Sequence, residues 1–154
     1  MAKKEPVDKG TKKKADEKVS KSGWLRAAMM FEVLAIREDA ARNAMEKHVD
    51  ALSKEKWVMA YKKDIGKPDR IENPLPNKPQ LKEAYSCVSE VECVVQRYED
   101  LISIVMHYGP SSIEILEPNN LTLDLGEAQG ILNSVADLVH KFVAAGIGGI
   151  VVKT

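Results

Sequence analysis

Residues Leu81–Gln96 read LKEAYSCVSEVECVVQ. Leu81, Tyr85, Cys87, Val91, Cys93 and Val95 hold the odd positions. Lys82, Ser86, Glu90, Glu92 and Gln96 hold even ones. Side chains alternate across a pleated strand, so this pattern predicts a long strand with one core face and one acidic face. Downstream, Arg97 to His107 predicts a short helix with Leu101, Ile104 and Val105 inward, stopped by Gly109-Pro110. Ser112 to Leu116 alternates Ile113 and Ile115 against Glu114, a short strand. Leu125 to Ala145 then predicts a long helix. Its stripe is Ala128, Ile131, Leu132, Val135, Leu138, Val139 and Phe142, and Gly146 stands where a terminating glycine belongs.

Upstream, Leu25–Ile36 (LRAAMMFEVLAI) predicts a strand with Ala27, Met29, Phe31, Val33 and Ala35 on one face. Its other face carries Arg26, Met30, Glu32, Leu34 and Ile36, so it is only half polar. A helix follows over 39–54, with Asp39 as its expected N-cap and Ala41, Met45, Val49 and Leu52 recurring at steps of four and three. Trp57–Ile65 (WVMAYKKDI) is rich in residues that suit a half-buried pleated surface. Residues 66–80 hold four prolines and one glycine and predict a connection without regular structure. The order strand–helix–strand–strand–helix–strand–helix predicts an α+β class, a ferredoxin-like βαββαβ antiparallel sheet with an extra C-terminal helix. Two helices cover one sheet face only. The apolar residues of the second face call for the last helix or a second copy of the chain, and a homodimer is expected.

Residues 1–22 are a different material. Eight lysines stand against four acids, so this segment carries about +4 and leaves about −4 on residues 23–154. Val7 and Val19 are its only large apolar residues after Met1. So little burial does not offset ordering entropy, and a disordered Lys-rich tail over 1–22 is expected, with one ferredoxin-like domain over 23–154. Lys12, Lys13 and Lys14 are the candidate contacts for weak, sequence-independent binding of nucleic acid.

Several chemistries are excluded on spacing. No apolar run reaches the length of a membrane span, and the Lys-rich start lacks the apolar core of a secretory signal, so a cytoplasmic protein that binds no membrane is expected. Cys87 and Cys93 lie roughly 20 Å apart on one strand, too far for a mutual disulfide. His48, His107 and His140 fall on three different predicted helices. Gly146-Ile147-Gly148-Gly149 follows a helix rather than a strand and lacks the Lys-Ser/Thr of a phosphate loop. No nucleophile elbow occurs. The expectation is no catalytic residue, no metal and no cofactor. An RNA-reading sheet of RRM type is also disfavoured, because Glu90 and Glu92 on the open face repel phosphate.

The stretch His107–Leu121 (HYGPSSIEILEPNNL), with Met30–Ile36 (MFEVLAI) and Cys93–Val105, resembles a family of small archaeal proteins of unknown function. The resemblance covers most of 25–145. It implies a ferredoxin-like fold and a cytosolic archaeal origin, and it carries no catalytic residue with it. The turn Tyr108, Gly109, Ser111 and Ser112 is the candidate ligand-binding segment. Taken together these readings expect a non-catalytic binding or assembly module, with a nucleic-acid-associated protein as the alternative.

Overall fold

The computed structural model describes residues 5–146. The chain divides into two units, Met1–Asn119 and Asn120–Thr154. The first unit holds α1 (Lys9–Ser22), β1 (Leu25–Ala35), α2 (Glu38–Ser53), β2 (Val58–Ile65), β3 (Asp69–Glu72), β4 (Glu83–Val95), α3 (Tyr98–Tyr108) and β5 (Ser112–Glu117). The second holds α4 (Leu125–Ala144). Residues 147–154, which include the glycine-rich end, lie outside the described residues.

The strands form a five-stranded sheet in the order β2-β4-β1-β5, with β3 pairing β4 at one side, and every pairing is antiparallel. The alternation of β4 is what organises it. Cys87, Val91, Cys93 and Val95 face the core and pair across β1 with Val33, Met29, Ala27 and Leu25. Both cysteines are buried free thiols. Helix α2 lays Ala41, Met45, Val49 and Leu52 on this face, and α3 adds Leu101 and Ile104. Val105, expected inward, is exposed. Asp39 is not the cap of α2. It lies in the first turn, where its carboxylate accepts two bonds from the Arg37 guanidinium, at 3.0 and 2.5 Å.

Two segments expected to be irregular are ordered. Within 66–80, Asp69–Glu72 pairs with the first half of β4, and Arg70 donates to Glu83 at 2.8 Å. The prolines flank this strand rather than enter it, so no ladder bond is lost. At the N-terminus, Lys9–Ser22 forms a helix where a disordered tail was expected. The Asp8 carboxylate accepts from the Thr11 N–H at 3.1 Å, and Gly23 takes the left-handed conformation that closes the helix. Just before it, Asp8 N–H donates to the Tyr61 carbonyl at 2.8 Å and Lys63 N–H to the Pro6 carbonyl at 2.7 Å. Residues 6–8 thereby satisfy part of the open edge of β2.

Helix α1 covers one end of the second sheet face. Ala15 is fully buried against Tyr61 and Val94, and Val19, Trp24 and Met59 pack around them. Arg26 of β1 reaches out of the sheet to Asp16 of α1 at 2.5 Å and to Glu117 of β5 at 3.4 Å, with Tyr61 beneath its guanidinium. The half-polar character of β1 has its explanation here: Arg26 anchors the helix that covers this face. The other end of the face keeps Leu34 and Val88 exposed. Glu90 and Glu92, read as an open acidic face, both pair with Lys62 of β2, at 2.9 and 3.4 Å.

Candidate functional site

Tyr108 ends α3, and Gly109 follows in the left-handed conformation (φ 56°, ψ 53°) that a side chain would strain, its N–H donating to the Val105 carbonyl. Ser111 then donates its N–H to the Met30 carbonyl at 2.8 Å and its hydroxyl to the same oxygen at 3.2 Å. Ser112 opens β5 opposite Met30. Gly109, Ser111 and Ser112 therefore join a helix to a strand; the Gly109 N–H goes to the backbone of α3, and the N–H and hydroxyl of Ser111 go to the backbone of β1.

Tyr108 alone of the four lines a recess. A cleft of about 630 Å³ lies between the α2–β2 connection, which supplies Glu55 and Trp57, and α3. From α3 come Asp100, Ser103 and His107, spaced so that they share one helix face, with Arg97 at the helix start. The Tyr108 hydroxyl donates to Glu55 Oε1 at 2.5 Å. His48 Nε2–H donates to the Tyr108 carbonyl at 2.8 Å, since a carbonyl only accepts. The His48 ring stands edge-on to Phe31 and to Tyr108, with centroids 5.1 and 5.6 Å away. Core, histidine and cleft floor thus form one packed series. His107 donates from Nδ1 to the Ser103 carbonyl at 2.9 Å. Asp100 accepts the Arg97 N–H at 2.9 Å at the start of α3.

The bond to Glu55 pushes the Tyr108 phenol up to about 12 from the ordinary 10.0. Burial pushes the Cys93 thiol to about 12 and raises that of Cys87, as expected for inert core thiols. A raised phenol favours the folded state fully below pH 10, and that contribution is lost as pH rises from about 10 to about 12. Chemical denaturation across that window should show a steeper fall for the natural chain than for Tyr108→Phe. Equal slopes would mean that the Glu55 contact does not hold in solution.

Lys12, Lys13 and Lys14 sit on α1. Lys12 pairs with Asp16 at 3.1 Å, while Lys13 and Lys14 are exposed. Lys18 lies over the Trp24 ring, 5.0 Å from its centroid. Among the described residues no group of three or more His, Cys, Asp or Glu side chains is placed to hold a metal. No described helix is long and apolar enough to cross a membrane.

The sequence reading missed Glu55, Trp57, Arg97 and Asp100 as cleft residues. The 100/103/107 spacing on α3 was available as a signal. The approach of the α2–β2 connection was not, because nothing local specifies it.

An antiparallel sheet with α2 and α3 on one face and α1 on the other makes this an α+β protein whose cleft is built at the end of α3. The model of the MJ0538 family matches residues 26–153, and the chain belongs to that family. Helix α1 lies ahead of the matched range. No curated protein and no solved structure is matched.

Proposed function

We propose that this chain is a non-catalytic binding and assembly module that works as a homodimer joined through α4. The observation that carries the reading is the pattern of exposure on that helix. Leu125, Ala128, Leu132, Val135, Val139 and Phe142 recur at spacings of three and four, the seam of a two-stranded coiled coil. Within its own unit, residues 120–154, the helix buries none of its residues, so this stripe has no partner there. Asp124 and Glu127 form a capping box that starts the helix without help from a partner. The flanks of the seam carry Gln129, Ala136 and Val143 on one side and Ile131 and Leu138 on the other. No charge stands there to repel an identical helix.

An isologous pair would bury the still exposed parts of ten large side chains, about 9–18 kcal/mol gross. Association costs about 4–15 kcal/mol. The balance is close, so the dimer should depend on concentration. Light scattering at micromolar concentration should give twice the chain mass of 17.1 kDa. Leu132→Glu with Val135→Glu should give the monomer with unchanged circular dichroism. A monomer at every concentration, or a double variant that stays dimeric, would overturn the reading.

The finer fold belongs to the same proposal. With β3 set aside as an insertion, the remaining strands numbered in chain order run 2-3-1-4 across the sheet, which supports a ferredoxin-like reading. The buried free cysteines suit a reducing compartment and support a cytoplasmic one.

A second reading rests on α1. Lys9, Lys13, Lys14 and Lys21 are exposed on one ordered helix, which supports weak, salt-sensitive binding of nucleic acid. Lys13→Glu with Lys14→Glu should weaken retention on any duplex and flatten its salt dependence by about two phosphate contacts. Unchanged retention would remove this reading.

A further inference from the structure

The cleft beside α3 has a volume of about 630 Å³, within the range of small-molecule sites. Its lining holds charges of both signs with capacity to spare. The nearest acid to the Arg97 guanidinium is Glu99 at 3.8 Å, beyond hydrogen-bond reach, and the Arg97 side chain is 59% exposed. Glu55 receives the Tyr108 hydroxyl on Oε1, which fixes the carboxylate and leaves Oε2 to accept. Trp57 is half-buried and gives the cleft an aromatic wall.

We propose that this cleft binds a small zwitterion of amino-acid size, its carboxylate on Arg97, its ammonium group on Glu55 and its apolar part along Trp57. The mixture of charges selects the class. A simple anion would meet Arg97 but also the carboxylates of Glu55 and Asp100. A simple cation would meet Glu55 but also Arg97. Only a ligand with both charges leaves neither side opposed, and an opposed charge discriminates against the singly charged competitor. Tyr108 holds Glu55 in place before the ligand arrives, so less ordering is left for binding to do. This inference stands apart from the assembly reading, because every residue it uses lies within 55–108.

Isothermal titration of the full chain with L-phenylalanine and L-leucine tests it. Phenethylamine and 3-phenylpropionate serve as the probes that lack one charge each. L-phenylalanine should bind at least about tenfold more tightly than either. Glu55→Gln, which keeps an acceptor for Tyr108, should erase the preference over 3-phenylpropionate. Arg97→Gln, which keeps the backbone N–H that Asp100 caps, should erase the preference over phenethylamine. Circular dichroism verifies that both variants fold. Absence of saturable binding by both amino acids would overturn the inference. So would a singly charged probe that binds as well as L-phenylalanine, or preferences that survive both substitutions.

Discussion

Deletion of residues 1–22 is expected to cost about 3–6 kcal/mol of stability. The arithmetic rests on what α1 covers. Val94 and Tyr61 are 0% and 2% exposed, and Ala15 fills the space between them. Uncovering a large buried side chain costs about 1.5–3 kcal/mol, and Trp24 and Met59 lose part of their packing as well. Arg26 loses its partner Asp16 and keeps Glu117 at 3.4 Å and the Tyr61 ring. Small domains hold about 5–15 kcal/mol in total, so the truncated chain should unfold at much lower denaturant. A truncated chain whose midpoint matches that of the full chain would show that α1 does not dock. That is the result a disordered tail would give. Ala15→Glu in the full chain provides a second measure, since it places a charge in the centre of the same contact without removing any chain.

Phe31→Ala should cost about 3–5 kcal/mol, as for other large aromatics removed from a packed core. Phe31 is 1% exposed and sits among the residues that α2, β1 and β4 bring together. The effect should also reach the cleft. Phe31 supports the His48 ring edge-on, and His48 holds the carbonyl of Tyr108. Loss of the phenyl ring should therefore loosen the end of α3, and amide exchange at Tyr108 and Gly109 should quicken more than at distant sites. Phe31→Leu, which keeps most of the volume, should cost under about 1.5 kcal/mol and leave that exchange near its natural rate. Equal effects from the two substitutions would separate the core from the cleft.

Much of the sheet was legible because its signals are local. The alternation of Leu81–Gln96 identified β4, and the steps through Ala41, Met45, Val49 and Leu52 identified the buried face of α2. The Gly109-Pro110 stop placed the end of α3 within one residue. The site was less legible. Tyr108 was singled out with Gly109, Ser111 and Ser112 for its place in the turn; Tyr108 lines the cleft, while Gly109 and Ser111 bond to backbone carbonyls of α3 and β1. The residues that line the cleft with Tyr108 come from a connection more than forty positions away and from a helix face read only for its apolar side.

Residues 1–22 mark the division most clearly. Sequence alone determined their charge and the scarcity of large apolar groups. By those measures the segment has no reason to order, because a short helix with few large apolar residues does not offset its own nucleation cost. Only the tertiary structure decides otherwise. It places Ala15 where β2 and β4 supply the apolar surface that α1 lacks, and it sets Arg26 where an acid on α1 can meet it. The same holds for β3, whose ladder partner lies on β4, and for the cleft, whose walls are far apart in the chain. Periodicity is a property of neighbours and can be read along the chain. Burial and charge pairing depend on what the fold brings alongside, and that becomes definite only when the chain is packed.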